Sequence, residues 1–159
     1  MRTKMLFGLV LIALVFTGCF SDPVQDDLIN YINSELAPLA DLEAEAIEKY
    51  ESVVGINYTS DIIVYNTLIR EVVPTYRKFV DRLEKIRPRT KEVQEVHELY
   101  IEAANIQYNA FVQILAAIEQ SDIGLVTIAN ENLFESRRLL RTYENKLMAL
   151  GDKHNVVIE

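Results

Sequence analysis

From Leu28 to Leu150 the apolar residues return every three or four positions, and the pattern breaks at only three short places. A strand alternates at every second residue and a helix at about 3.6, so this spacing commits the chain to long amphipathic helices. The first should begin at Asp26 or Asp27, acids that suit the positive end of a helix dipole. It buries Leu28, Ile32, Leu36, Leu39, Ala46, Tyr50 and Val53, with one slip near Glu43, and leaves Glu43, Glu45, Glu48 and Glu51 on a solvated face. Pro38 lies inside it and should kink it or split it into two shorter helices. Gly55 reads as a C-cap, and Thr59 or Ser60 as the next N-cap.

The second helix carries Ile62, Tyr65, Ile69, Val72, Tyr76, Phe79, Leu83 and Ile86, with a bend expected at Pro74. Residues 87–90, with Pro88, stop it, and Thr90 can cap the third. That helix buries Val93, Val96, Tyr100, Ala103, Gln107, Phe111, Ile114 and Ile118, with Leu99, Ala104, Ile106 and Leu115 widening the face. Ser121 and Asp122 end it and cap a fourth, which carries Val126, Ala129, Leu133, Ser136, Leu140, Tyr143, Leu147 and Leu150 and stops at Gly151. The links are a few residues each, so successive helices must reverse direction. The expected fold is all-α, an antiparallel up-down-up-down four-helix bundle over residues 26–154, about 40 Å long at 1.5 Å per residue. Only the tail at 155–159 offers a strand-like stretch.

Ahead of the helices, Arg2 and Lys4 precede an apolar run from Met5 to Phe16, followed by the small residues Thr17 and Gly18. This is the layout of a secretory signal peptide over residues 1–18; the run is shorter than the roughly 20 apolar residues a membrane span needs. Cys19 follows directly. Thr17, Gly18 and Cys19 resemble the lipobox of bacterial lipoproteins, with Phe16 departing from the leucine usual at its position. The resemblance implies cleavage before Cys19, a diacylglyceryl group on its sulfur, and a new amino group open to a further acyl chain such as palmitate. Residues 19–25 then form the lipidated cysteine and a short tether. As a thioether, the single cysteine of an exported chain becomes an anchor rather than a reactive thiol. An ordinary secretory signal with Cys19 at its cleavage point is the plainer alternative. The remainder resembles the small helical lipoproteins of bacterial envelopes, without a residue motif that fixes a family.

Removing residues 1–18 from the 159 leaves 141, one ordinary domain, and takes away Arg2 and Lys4, so the net charge moves from −8 to −10. So acidic a body argues against nucleic acid as a partner. With one cysteine, stability rests on packing.

In the anchored orientation the 85–91 loop and the end of the last helix turn back toward the membrane. Lys85, Arg87, Arg89, Lys91, Lys146 and Lys153, with His154, are candidates for a basic face meeting anionic headgroups; a loop charged for solubility is the plainer reading. No metal site is expected, since Glu-x-x-His pairs on two helices are required for a two-metal centre and His97 has Gln94 in that place. His97 reads as a boundary residue one position off the stripe. No serine or cysteine nucleophile motif and no phosphate-binding glycine loop is present, so an enzyme is not expected and no cofactor is implied.

Gln107 and Ser136 interrupt apolar stripes at similar heights and could form a polar layer that specifies register. With Tyr76, Tyr108 and Arg141 they are the candidates for a small ligand slot near the prolines. The expected function is therefore a non-enzymatic binding or scaffolding role in the cell envelope, with the membrane as one partner through Cys19 and an envelope protein as another. A small-ligand- or cell-wall-binding lipoprotein is the alternative, and a metal-dependent enzyme a distant third. The distal end, with Glu51, Asp61, Glu119 and Asp122, is the first place to look for a partner.

Overall fold

The computed structural model describes residues 13–15 and 22–158. The described chain is all-α apart from one short pair of strands. Four helical arms make it up. The first comprises α1 (Pro23–Asn30), a widened π-helical turn over Tyr31–Leu36, a tight 3₁₀ turn over Ala37–Leu39, and α2 (Ala40–Glu51). The second comprises α3 (Asp61–Thr67), a second π-helical stretch over Leu68–Val72, and α4 (Val73–Leu83). The third and fourth are α5 (Lys91–Gln120) and α6 (Ile123–Lys153).

Each proline inside an arm, beyond Pro23 at its first position, follows a π-helical stretch, Pro38 after Tyr31–Leu36 and Pro74 after Leu68–Val72. A proline ring clashes with the carbonyl four residues earlier and offers no N–H, and a wider turn upstream relieves both conflicts while inserting one residue. In the first arm the expected Leu28, Ile32, Leu36 and Leu39 are buried all the same, but in the second the insertion rotates the face N-terminal to it. The second arm therefore buries Val64 and Leu68, and the expected Ile62 and Ile69 are 63% and 44% exposed. Below the insertion the expected Val72, Tyr76, Phe79, Leu83 and Ile86 are all buried.

α1 begins at Pro23, ahead of Asp26, because Asp22 accepts from the amides of Val24 and Gln25 at 2.9 and 3.3 Å and proline fits the first helical position. α2 ends at Ser52, and Gly55, at φ +58°, opens a separate 3₁₀ turn instead of capping the helix. Asp122 caps α6 through the amides of Gly124 and Leu125, and Ser121 makes the reversal at φ 53°. α6 runs through Gly151 to Lys153, and the left-handed residue that ends it is Asn155, at φ 55°. Gly151 serves packing: a Cβ there would lie 2.8 Å from the Val156 carbonyl oxygen and 2.9 Å from the Ile158 side chain.

α5 and α6 run in opposite directions along their length, since Asn132 meets Gln113, Ser136 meets Gln107 and the Tyr143 ring stacks on Tyr100. A chain of aromatic rings crosses between the arms: Tyr50 against Phe111, Phe111 against Tyr76, Tyr76 against Phe79, Phe79 against Tyr100, and Tyr100 on Tyr143, with centroids 4.6–5.8 Å apart. After α6 the tail forms β2 (Val156–Ile158), paired antiparallel with β1 (Ala13–Val15) so that Ala13 faces Ile158. Val156 and Ile158 are buried, which holds the tail against the helices.

Candidate functional site

The starts of α1 and α5 and the end of α6 meet at one end of the molecule, the base. Asp27, buried in α1, accepts three hydrogen bonds through Oδ2: from the amides of Arg89 and Thr90 at 2.8 and 2.7 Å and from the Thr90 hydroxyl at 2.7 Å. From another arm the carboxylate thus holds the residues entering α5, at the end where the helix dipole favours negative charge. Thr90 occupies the expected cap position, but its hydroxyl is a donor to Asp27 and does not cap the helix. On the other side, Gln25 donates its amide to the His154 carbonyl at 2.8 Å, and His154 Nδ1 lies 2.6 Å from Asp22 Oδ2. That bond holds the Asp22 carboxyl below its usual range.

Of the six basic residues expected at this end, Lys85, Arg87, Arg89 and Lys91 are exposed around the 84–90 turn, and Lys146 and Lys153 are exposed on α6. Acids are interleaved with them. Lys91 reaches Glu95 at 3.6 Å, Arg89 Nε lies 3.7 Å from Asp27, and Arg87 folds back onto the carbonyls of Glu84 and Ile86. An open groove of about 610 Å³ runs beside the turn, with Arg87, Lys91, Glu95 and Glu98 at its sides and His97 in its wall. Cys19 lies outside the described residues.

From His97 a layer of buried polar groups leads inward. His97 is buried rather than at the boundary, and its Nδ1 lies 3.1 Å from the Tyr31 hydroxyl, the ring set edge-on to Tyr31. Burial, reinforced by the nearby Arg87 charge, pushes its pKa down to about 4, so the imidazole is neutral at pH 7. Tyr143, stacked on Tyr100, has its hydroxyl raised by burial and by its neighbour Tyr31. Tyr100 donates to Glu43 Oε2 at 2.6 Å.

Glu43 therefore turns inward instead of lying on the solvated face, and burial pushes its pKa up to about 7, against the pull of the Tyr100 bond and with Glu144 adding to the rise. Beside it, Ile32, Leu36, Leu39 and Phe79 enclose a cavity of about 20 Å³, room for one water. A carboxyl titrating near neutrality is a base in search of a proton, but nothing larger than water fits next to this one.

The five residues expected around a ligand slot are distributed differently. Ser136 and Gln107 do meet, at 3.1 Å, and Ser136 also donates to the Ala103 carbonyl at 2.8 Å. Tyr76 is wholly buried between Phe79 and Phe111, Tyr108 is half-buried, and Arg141 is exposed. The described cavities are lined by other residues.

The sequence pattern alone did not single out Asp27 and His97 as buried, or Glu43 as half-buried and turned inward. For two of them a signal was present: Leu36, Leu39, Glu43, Ala46 and Val93, His97, Tyr100, Ala104 are themselves three-four alternations. For Asp27, whose partners are more than sixty residues away, there was none. Among the described residues, no three or more of His, Cys, Asp and Glu are grouped to hold a metal ion, and no helix is long and apolar enough to cross a membrane. No protein-family model, curated protein or solved structure matches the chain.

Proposed function

We propose that the chain is an exported lipoprotein, held to the outer face of a bacterial membrane through Cys19, with a non-enzymatic binding or scaffolding role in the envelope. Its helices form an up-down-up-down four-helix bundle standing on the base. The observation that carries the proposal is the junction of Asp27 with Thr90 and of Gln25 with His154, which gathers the residues nearest Cys19, the 84–90 turn and the end of α6 at one end.

With α1 starting at Pro23, the tether from Cys19 is about four residues, at most roughly 14 Å when extended. The base then sits within one or two screening lengths of the headgroups. Charge supports that orientation. Lys85, Arg87, Arg89, Lys91, Lys146 and Lys153 offset the acids of the base, whereas residues 50–69 and 92–136 contain no Lys or Arg at all. An anionic surface repels the far end and tolerates the near one. Cleavage before Cys19 removes β1, so in the mature chain β2 is held by Val156, Ile158 and the Gln25 bonds.

The filled aromatic interior favours a role for the outer surface over a ligand slot around Tyr76, Gln107 and Arg141. Mass spectrometry of the chain recovered from membranes tests the anchor. A mature protein beginning at Cys19 with added diacylglyceryl mass, lost in Cys19→Ala, is expected. The same unlipidated product from both would overturn the proposal.

A further inference from the structure

The end opposite the base is built from two turns, residues 52–60 and 121–122, and the Tyr65 hydroxyl ties the arms beneath them by donating to Glu119 at 2.6 Å. Five large apolar side chains there face solvent: Ile56, fully exposed, Ile123 at 82%, Ile62 at 63%, and Tyr58 and Ile63 near half. The first turn is not a loose loop. Its 3₁₀ segment is closed by the Asn57 and Tyr58 amides on the Val54 and Gly55 carbonyls, Asn57 donates its side chain to the Glu51 carbonyl at 2.9 Å, and Val53 is buried beneath it. Ile56 is thus held out in water by an ordered backbone. Scattered exposed apolar residues need no explanation, but several gathered at one end do.

The charge around them has one sign. Glu51, Asp61, Glu119 and Asp122 sit at this end, and the chain carries no Lys or Arg between Lys49 and Arg70 or between Lys91 and Arg137. Lys49, the cation at its margin, is engaged by Glu71 at 2.9 Å. Two of the acids are spent on Tyr58 and Tyr65 as hydrogen-bond acceptors, which satisfies the phenols but leaves the negative charge in place.

We propose that this apex is a docking surface for a basic amphipathic segment of another protein, its apolar side chains on Ile56, Ile62 and Ile123 and its Lys or Arg side chains on the surrounding acids. The inference deepens the binding role proposed above by naming the surface and the chemistry of the partner. Charge complementarity selects that occupant over the others. A second copy meeting apex to apex would set acid against acid, and anionic lipid would meet the same repulsion.

The test is fluorescence anisotropy of two labelled peptides, one of leucine and lysine in amphipathic order and one with serine for every leucine, against the full chain carrying Cys19→Ala. The leucine peptide should bind at least about tenfold more tightly than the serine peptide, and Ile56→Asp and Ile62→Asp should each remove about tenfold of that affinity. Both positions are exposed, and an unchanged circular dichroism melt separates lost binding from lost folding. Glu51→Lys should weaken the leucine peptide further.

Equal binding of the two peptides, indifference to Ile56→Asp and Ile62→Asp in folded protein, or concentration-dependent self-association abolished by Ile56→Asp would each overturn the proposal. The measurement does not depend on lipid at Cys19, so its failure leaves the anchor standing, and an unlipidated Cys19 leaves the apex standing.

Discussion

Glu43, half-buried, and His97, buried, belong to one polar layer and have their proton affinities displaced in opposite directions. Glu43 binds its proton more tightly folded, about 7 against 4.5, so its burial costs stability progressively as pH rises from 4.5 toward 7 and fully above that. His97 binds its proton less tightly folded, about 4 against 6.5, so its burial costs stability as pH falls from 6.5 toward 4. Each displacement corresponds to at most about 3 kcal/mol, less for Glu43 in proportion to its remaining contact with water. Between pH 4.5 and 6.5 the two slopes oppose each other. Wild-type stability should therefore change little over that range, with Glu144 adding modestly to the Glu43 side. Glu43→Gln keeps an acceptor for Tyr100 and should expose a stability that rises with pH. His97→Asn should expose one that falls. Urea denaturation midpoints at pH 4.5, 5.5 and 6.5 decide the matter, and parallel curves for the three proteins would refute the opposition. Asp27 makes a second residue-scale prediction. Its buried carboxylate holds the turn leading into a 30-residue helix through three hydrogen bonds, so Asp27→Ala should lose about 2–3 kcal/mol by equilibrium denaturation.

At the scale of elements, the paired irregularities of the first two arms share one cause. A proline within a helix forces the turn before it to open, and in the second arm the added residue resets which side chains face the core. That is why Ile62 and Ile69 were legible as a stripe and yet lie in water, while Val64 and Leu68 are buried. The slip near Glu43 has a different cause: the three-four spacing continues through this residue, and a half-buried carboxyl stands where the pattern assigns an apolar side chain. The junction of α6 with the tail is set by a different constraint, absence of a side chain. Gly151→Ala would force a Cβ into the Val156 carbonyl and the Ile158 methyl, so β2 should detach. Faster amide exchange at Val156 and Ile158, with the α5 and α6 amides unchanged, is the expected reading, at a cost of about 1–3 kcal/mol.

Over the whole molecule, charge and polarity separate along the long axis. The base mixes cations with acids and is cross-tied by Asp27, Gln25 and His154; the middle is an aromatic interior with an inner polar layer; the apex is apolar and acidic. In the anchored orientation proposed above, the apex would face away from the membrane, since an anionic surface would repel its acids.

The sequence alone determined the helical class, the approximate lengths of the four arms and their links, the caps at Asp122 and beside Thr90, and the absence of basic residues from residues 50–69 and 92–136. Each of these depends on neighbours within one or two turns, where spacing and side-chain chemistry are read directly. Tertiary structure decided the rest. Whether Glu43 and His97 lie in water or against the core, and which arm holds the turn into α5, depend on groups brought from tens of residues away, and periodicity carries no information about what stands opposite.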